Sequence, residues 1–159
     1  MKKLFFLSIA LIGLAFSTSA QNVSPNAIGL RMGGSDGFGA EISYQRGLDA
    51  DSRLEFDLGW RSGNDYDAFK ITGLYQWVMH LDGNFNWYVG AGGGLASFSG
   101  KDVFDGTDDT SIFVAGDIGV EYDFEIPLLI SLDFRPEIGF GDFNDDFDFD
   151  IALGIRYQF

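Results

Sequence analysis

The C-terminal segment DFDIALGIRYQF follows a strict two-residue alternation. From Phe149 to Phe159 every second residue is apolar, and Asp150, Gly154 and Arg156 are among the residues between them. A period of two is typical of a β-strand whose two faces meet different surroundings. Similar stretches recur along the chain, separated by breaks rich in Gly, Asp and Asn that indicate turns. The pattern predicts eight strands, at 27–33, 38–46, 52–61, 68–80, 85–98, 110–124, 128–140 and 148–159.

The first twenty residues have the layout of a secretory signal peptide. Lys2 and Lys3 precede an apolar run from Leu4 to Phe16, and small residues follow as far as Ala20. The apolar run is shorter than the ~20 residues that a helix needs to cross a bilayer. We therefore expect residues 1–20 to be cleaved after export, which leaves one domain at 21–159.

The composition excludes several classes of protein. Without Lys2 and Lys3, eight Lys and Arg residues face 24 Asp and Glu residues, a net charge of −16. Such acidity argues against nucleic acid as a partner, because phosphates are bound by cations. The absence of cysteine excludes disulfides. No later stretch is apolar for long enough to predict a transmembrane helix.

The alternation leaves open which face of the strands is inside. A soluble lipocalin-like barrel or a sandwich would bury the apolar phase, whereas a membrane barrel would turn it towards lipid. The polar phase is rich in small residues such as Gly90, Gly92 and Gly94, while the apolar phase holds many large side chains. The interior of an eight-stranded barrel is just wide enough for its own side chains, so the smaller set fits it better.

The aromatic residues of the apolar phase favour the membrane barrel. They form one group near the strand ends on the side of the termini and a second group near the opposite ends, a pattern typical of the two aromatic girdles of outer-membrane barrels. The first group is Tyr44, Tyr75, Trp77, Trp87, Tyr122, Tyr157 and Phe159, and the second is Phe38, Trp60, Phe69 and Phe149.

The sequence therefore predicts an all-β fold, an eight-stranded antiparallel up-and-down transmembrane β-barrel, with the polar phase in its lumen. Charges removed from water need partners of opposite sign, so we expect the inward charges to form a network across the strands. Its predicted members are Arg31, Glu41, Arg53, Glu55, Asp57, Arg61, Lys70, Asp117, Glu121, Asp133, Arg135, Glu137 and Arg156.

The terminal IRYQF, with Tyr157 and Phe159, resembles the C-terminal signal by which outer-membrane barrels are recognised by their assembly machinery. Together with the signal peptide, the eight strands and the absence of cysteine, it makes the chain similar to the small OmpA/OmpX-type barrels. The resemblance implies an outer-membrane location, contact with membrane lipid and lipopolysaccharide, and insertion by the barrel-assembly machinery. It implies no individual activity, because such barrels are variously structural, adhesive or lipid-modifying.

Few residues suggest catalysis, and we predict that the protein is not an enzyme and needs no cofactor. His80 is the single histidine and lies beside the LDGN turn, which we place on the periplasmic side, away from the outer-leaflet lipid headgroups. A lipid A-modifying enzyme and a soluble lipocalin-like carrier of an apolar ligand remain as alternatives.

The acidic segments KDVFDGTDDT and GDFNDDFD contain weak candidates for Ca²⁺ or Mg²⁺ binding, since these ions prefer oxygen ligands. The candidates are Asp105, Asp108, Asp109, Asp145 and Asp146.

Pro136 interrupts the seventh predicted strand. Proline has no N–H to donate to a ladder, and a closed barrel has no edge strand to accommodate it. We therefore expect this strand to bulge or to lose pairing at Pro136, near the cell-exterior rim.

Overall fold

The computed structural model describes residues 23–34, 39–62, 66–100, 108–140 and 147–159, without the side chains of 66, 98–100, 108 and 109. The predicted signal peptide and Phe38 lie outside these residues. Eight strands are present: β1 (Asn26–Met32), β2 (Ala40–Gly47), β3 (Ser52–Ser62), β4 (Tyr66–Asp82), β5 (Phe85–Gly100), β6 (Asp108–Asp123), β7 (Leu128–Phe140) and β8 (Phe147–Gln158). Among the described residues, no helix is long and apolar enough to cross a membrane.

The strands form a closed antiparallel barrel in which each strand pairs with its neighbours in sequence and β8 pairs with β1. The eight-stranded up-and-down fold predicted from the alternation is therefore confirmed. We call the end of the barrel that carries both termini the terminal end, and the opposite end the loop end. Tight connections join strands at the terminal end, and at one of them Gly83 has a φ of 56°, a left-handed conformation that glycine adopts without strain.

The ladders differ in length around the barrel. The β4–β5 ladder contains sixteen residue pairs, whereas the ladder that closes the barrel, between β1 and β8, contains six, from Ala27–Gln158 to Met32–Leu153. Backbone hydrogen bonds also join the two termini, since Phe159 N donates to Asn26 O at 2.9 Å and Asn26 N to Phe159 O at 3.2 Å. The strand predicted at 148–159 therefore closes the barrel by pairing with β1.

Pro136 causes a local loss of pairing, as expected. The β6–β7 ladder lacks two residue pairs, Gly116–Pro136 and Asp117–Arg135. The register of the ladder is the same on both sides of this gap. The strand does not bulge there, because the register does not shift. The gap lies in the half of β7 nearer the loop end, but the outward-facing Ile138 and Phe140 lie beyond it, so it is farther from the rim than expected.

An aromatic side chain inside the barrel packs against a glycine in the barrel wall. Tyr88 faces the lumen and is 1% exposed, and a Cβ on Gly119 would lie 2.5 Å from its ring. Such a separation is far below van der Waals contact, so glycine at this position makes room for the Tyr88 ring.

Candidate functional site: the ion network in the lumen

The polar phase of all eight strands points into the lumen, where its charges are buried. Among the described residues, eight carboxylates and five cations are buried. They are Glu41, Glu55, Asp57, Asp117, Glu121, Asp133, Glu137 and Asp150, with Arg31, Arg53, Lys70, Arg135 and Arg156. Buried charges are tolerated when they are paired and hydrogen-bonded, and these five cations are distributed along the barrel so that each has acidic or polar partners.

Arg31 on β1 joins three other strands. Its guanidinium donates to Glu41 at 2.9 Å, to Asp150 at 2.7 Å and, through Nε, to Asp133 at 3.0 Å. Asp150 in turn accepts the backbone N–H of Gly34 at 3.1 Å. Because these carboxylates come from β2, β7 and β8, a single side chain connects both sides of the closing ladder.

Arg135 occupies a second junction, on β7, and is 0% exposed. Its Nη2 donates to Glu55 at 3.0 Å and to Asp57 at 2.7 Å, both on β3. The contact spans the lumen, because β3 and β7 are not neighbours in the barrel. Arg135 therefore fixes the distance between opposite walls.

Arg156 on β8 completes this central group. Its guanidinium donates to Glu55 at 3.1 Å, to the Ser43 hydroxyl at 2.9 Å and to the Ser131 hydroxyl at 2.8 Å. Glu55 also accepts from Gln45 at 2.6 Å, so its carboxylate is shared among several donors. Small hydroxyl-bearing neighbours such as Ser43 and Ser131 leave room for the guanidinium.

Two further ion pairs lie towards the ends of the lumen. At the terminal end, Arg53 pairs with Glu121 at 2.7 Å and its guanidinium lies 4.8 Å from the centre of the Tyr88 ring. Towards the loop end, Lys70 pairs with Glu137 at 2.8 Å and lies 5.0 Å from the centre of the Phe113 ring. A cation over an aromatic face is attracted to it, so these rings add to the fixation of both cations.

The structure buries all the predicted network residues except Arg61, which is exposed at the end of β3. Asp150 was absent from the predicted network although it contacts Arg31, and its place in the polar phase of β8 was the signal that could have included it. Buried Gln45 and Gln76 also belong to the site, because Gln76 accepts from Arg53 at 2.6 Å and donates to Asp117. Neutral amides give no charge signal in a sequence.

The outward face is apolar over the whole circumference. Its exposed large side chains include members of every strand, among them Ile28, Ile42, Phe56, Ile71, Leu95, Ile118, Leu132 and Ile155. Such an exterior is suited to hydrocarbon and not to water. The alternative of a soluble carrier is wrong, because the lumen that would hold an apolar ligand is lined by charged and polar groups.

Space inside the barrel is limited. A cavity at the terminal end is lined by residues including Ser24, Gln45, Arg53, Asn86 and Glu121, and it has room for about one water molecule. This cavity is far smaller than the pockets that small-molecule ligands occupy.

His80 lies near the terminal end and is half-buried. Its Nδ1 is 3.4 Å from the Asn86 side-chain oxygen across the β4–β5 hairpin, and the described residues around it include no Ser or Thr hydroxyl that the structure joins to it. Among the described residues no group of three or more His, Cys, Asp or Glu could hold a metal ion. The candidates Asp105, Asp145 and Asp146, and the side chains of Asp108 and Asp109, lie outside the part described.

The last residues of the chain present aromatic rings to the outside. Tyr157 is 58% and Phe159 60% exposed, and their rings stack with centroids 6.3 Å apart. The backbone bonds with Asn26 leave the Phe159 ring exposed on the outer face.

No protein-family model matches the sequence, and no curated protein matches it. Among solved structures, the N-terminal β-barrel domain of Pseudomonas aeruginosa OprF is similar with a TM-score of 0.67 and 14% identity, over 89% of this chain and 100% of that one. Neisserial surface protein A has a TM-score of 0.60 and 15% identity, over 84% and 94%. Ail of Yersinia pestis, solved in complex with the heparin analogue sucrose octasulfate, has a TM-score of 0.60 and 16% identity, over 86% and 97%.

The chain thus has the fold of the small eight-stranded outer-membrane barrels. The resemblance drawn from the sequence is confirmed at the level of this fold. The apolar exterior on every strand suits this fold to a lipid bilayer.

Proposed function

We propose that this outer-membrane barrel has a structural or surface-interaction role and is not an enzyme. The observation that carries the proposal is the packed ion network, in which Arg31 connects both sides of the closing ladder and Arg135 and Arg156 reach across the lumen to buried carboxylates of β3. A lumen filled in this way rigidifies the barrel and conducts nothing. Function is then left to the surfaces outside the membrane, which are the connections at the loop end.

Both termini face the periplasm in this proposal, and the loop end faces the cell exterior. The connections at the loop end include the acidic segments GSDG, GKDVFDGTDD and GDFNDD. Ail holds a sulfated polyanion in its solved structure, but a chain with 24 acidic residues against ten Lys and Arg would repel such a ligand. The chemistry of these segments instead favours neutral or cationic partners, and lipopolysaccharide only through bridging divalent cations.

Cell fractionation followed by gel mobility tests the location and the closed barrel together. We expect the protein in the outer-membrane pellet, migrating faster in SDS without boiling than after boiling, because the closed barrel resists SDS. A soluble periplasmic band whose mobility is unchanged by heat would contradict the proposal. Calorimetry with Ca²⁺ up to millimolar concentration then tests the bridging role, which would be wrong if no binding heat were found.

Lipid A modification is the remaining enzymatic alternative, and His80 is the residue on which it depends. Its place at the terminal end supports a non-catalytic role, because the outer-leaflet lipid headgroups are at the other end of the barrel. Mass spectrometry of lipid A from cells that express the wild type, His80→Ala or neither should give the same spectra. A mass change that requires His80 would overturn the non-enzymatic assignment.

A further inference from the structure

The gap in the β6–β7 ladder identifies one backbone group that has lost its donor. In an antiparallel ladder, hydrogen-bonded and non-hydrogen-bonded residue pairs alternate. The missing N–H of Pro136 removes a bond only if Pro136 and Gly116 occupy a hydrogen-bonded position, and its loss then also disrupts the adjoining pair, Asp117 and Arg135. These two pairs are the ones left out of the ladder. The Gly116 carbonyl therefore lacks the donor that any other residue at 136 would supply.

The position of this carbonyl makes the loss costly. Gly116 lies near the middle of β6, between the outward-facing Ile112 and Val120, which are 58% and 44% exposed. It is thus inside the apolar belt, where an unsatisfied backbone group is strongly unfavourable because hydrocarbon offers no donor. On the outer side, the Pro136 ring lies 3.3 Å from the position that a Gly116 Cβ would occupy. A donor must therefore come from the lumen.

The lumen side of the same gap carries further unsatisfied groups. Asp117 is 5% and Arg135 0% exposed. The Asp117 Oδ1 and the Arg135 Nε have no hydrogen-bond partner among the described residues, because Asp117 binds Gln76 through Oδ2 and Arg135 binds Glu55 and Asp57 through Nη2. The Arg135 Nη1 lies 3.7 Å from Glu41 Oε2, an ion pair that is too long for a hydrogen bond. Donors and acceptors thus flank the gap together.

We propose that water is bound in the wall at this gap, where it donates to the Gly116 carbonyl and to Asp117 Oδ1 and accepts from the Arg135 guanidinium. A buried water typically makes two to four such bonds, and this arrangement supplies three. The gap is then a hydrated point in the middle of the membrane wall. It is also the place at which the β6–β7 ladder opens most easily.

Amide hydrogen exchange by NMR in lipid nanodiscs tests the proposal, because the Gly116 N–H points towards β7. In the wild type we expect this amide to exchange about fivefold or more faster than that of Val120, which faces the same neighbour, and to show a cross-peak to long-lived water. Pro136→Ala restores the missing donor, so it should slow the exchange of Gly116 to the rate of Val120 and abolish the water cross-peak. Pro136→Val serves as a second variant with the same restored N–H.

Two controls separate this mechanism from a general change in stability. The Asp117 amide faces β5, where Asp117 pairs with Gly90, so its exchange should not change in Pro136→Ala. Leu132→Ala alters an outward side chain of the same strand without adding a donor, and it should leave Gly116 exchange and the water cross-peak as in the wild type. Equal exchange of Gly116 and Val120 in the wild type, or a water cross-peak that survives Pro136→Ala, would overturn the proposal.

Discussion

Replacing Arg135 by methionine tests how strongly the ion network stabilises the barrel. Methionine retains much of the aliphatic volume but removes the guanidinium that contacts Asp57 at 2.7 Å and Glu55 at 3.0 Å. Glu55 keeps Arg156 and Gln45 as partners, whereas Asp57 loses the cation that the structure pairs with it. Breaking a buried ion pair from one side typically costs about 3–5 kcal/mol, because a charge is left buried without compensation. We expect Arg135→Met to lower the free energy of unfolding by about that amount.

A double-mutant cycle with Asp57→Asn shows whether the loss of stability comes from the Asp57 carboxylate that is left without its cation. Asp57→Asn removes that charge at nearly constant volume, so the double variant Arg135→Met, Asp57→Asn should regain about 2 kcal/mol relative to Arg135→Met. Urea unfolding in lipid vesicles, followed by the fluorescence of Trp60, Trp77 and Trp87, gives the four free energies.

Two results would refute this account of the network. One is a loss of less than about 1 kcal/mol in Arg135→Met, which would place the pair among contacts that contribute as little as exposed ones do. The other is strict additivity of the two substitutions, since uncoupled residues do not share a buried interaction.

Three further predictions concern the wall, the exterior and the C-terminus. Gly119→Ala forces the Tyr88 ring out of its position and should destabilise the barrel by about 1–3 kcal/mol in the same urea assay. Gly34→Ala is the control, because a Cβ at this position meets no atom within 4 Å, and its stability should be that of the wild type. Equal stabilities of the two variants would contradict the close fit of Tyr88. Leu132→Arg places a charge on the outer face near the middle of β7 and should lower the free energy of unfolding by about 2–4 kcal/mol. Ile126→Arg lies in the β6–β7 connection and is the control that should be tolerated. Tolerance of both substitutions would mean that the outer face does not contact lipid. Phe159→Ala keeps the backbone bonds to Asn26, so refolding into vesicles should be unchanged while the amount assembled in cells falls; equal assembly in cells would remove Phe159 from the signal.

The alternation allowed the fold to be predicted with small boundary errors, because successive side chains of a strand in a membrane barrel point in turn to the lipid and to the lumen. β7 was predicted at 128–140 and is found at Leu128–Phe140, and β8 is shifted by one residue. The strands β4 and β6 begin two residues earlier than predicted, in polar stretches where apolar spacing gives no guidance. The register between strands was not predicted, because periodicity fixes the face of a residue but not its partner across the ladder.

The network was harder to predict than the fold. The sequence indicated which charges face inwards, but the partners of Arg31 on β7 and β8 are more than 100 positions away in the chain, and only closure of the barrel brings them near. Apolar residues of the inward phase, such as Leu74 and Val78, are also buried in the lumen. They escaped prediction because an apolar residue gives the same signal on either face.

The six-pair ladder between β1 and β8 has a consequence for the time course of folding. It is one of the shortest ladders in the barrel, yet it joins the parts of the chain that are farthest apart in sequence, since Gln158 lies 131 positions after Ala27. Closing a segment of that length costs more chain entropy than forming any hairpin, and only a few pairs compensate for it. We therefore expect the β1–β8 ladder to form last during folding and to separate first when the C-terminus is pulled. The lifetime of the folded barrel then depends on Arg31, whose contacts extend across this ladder.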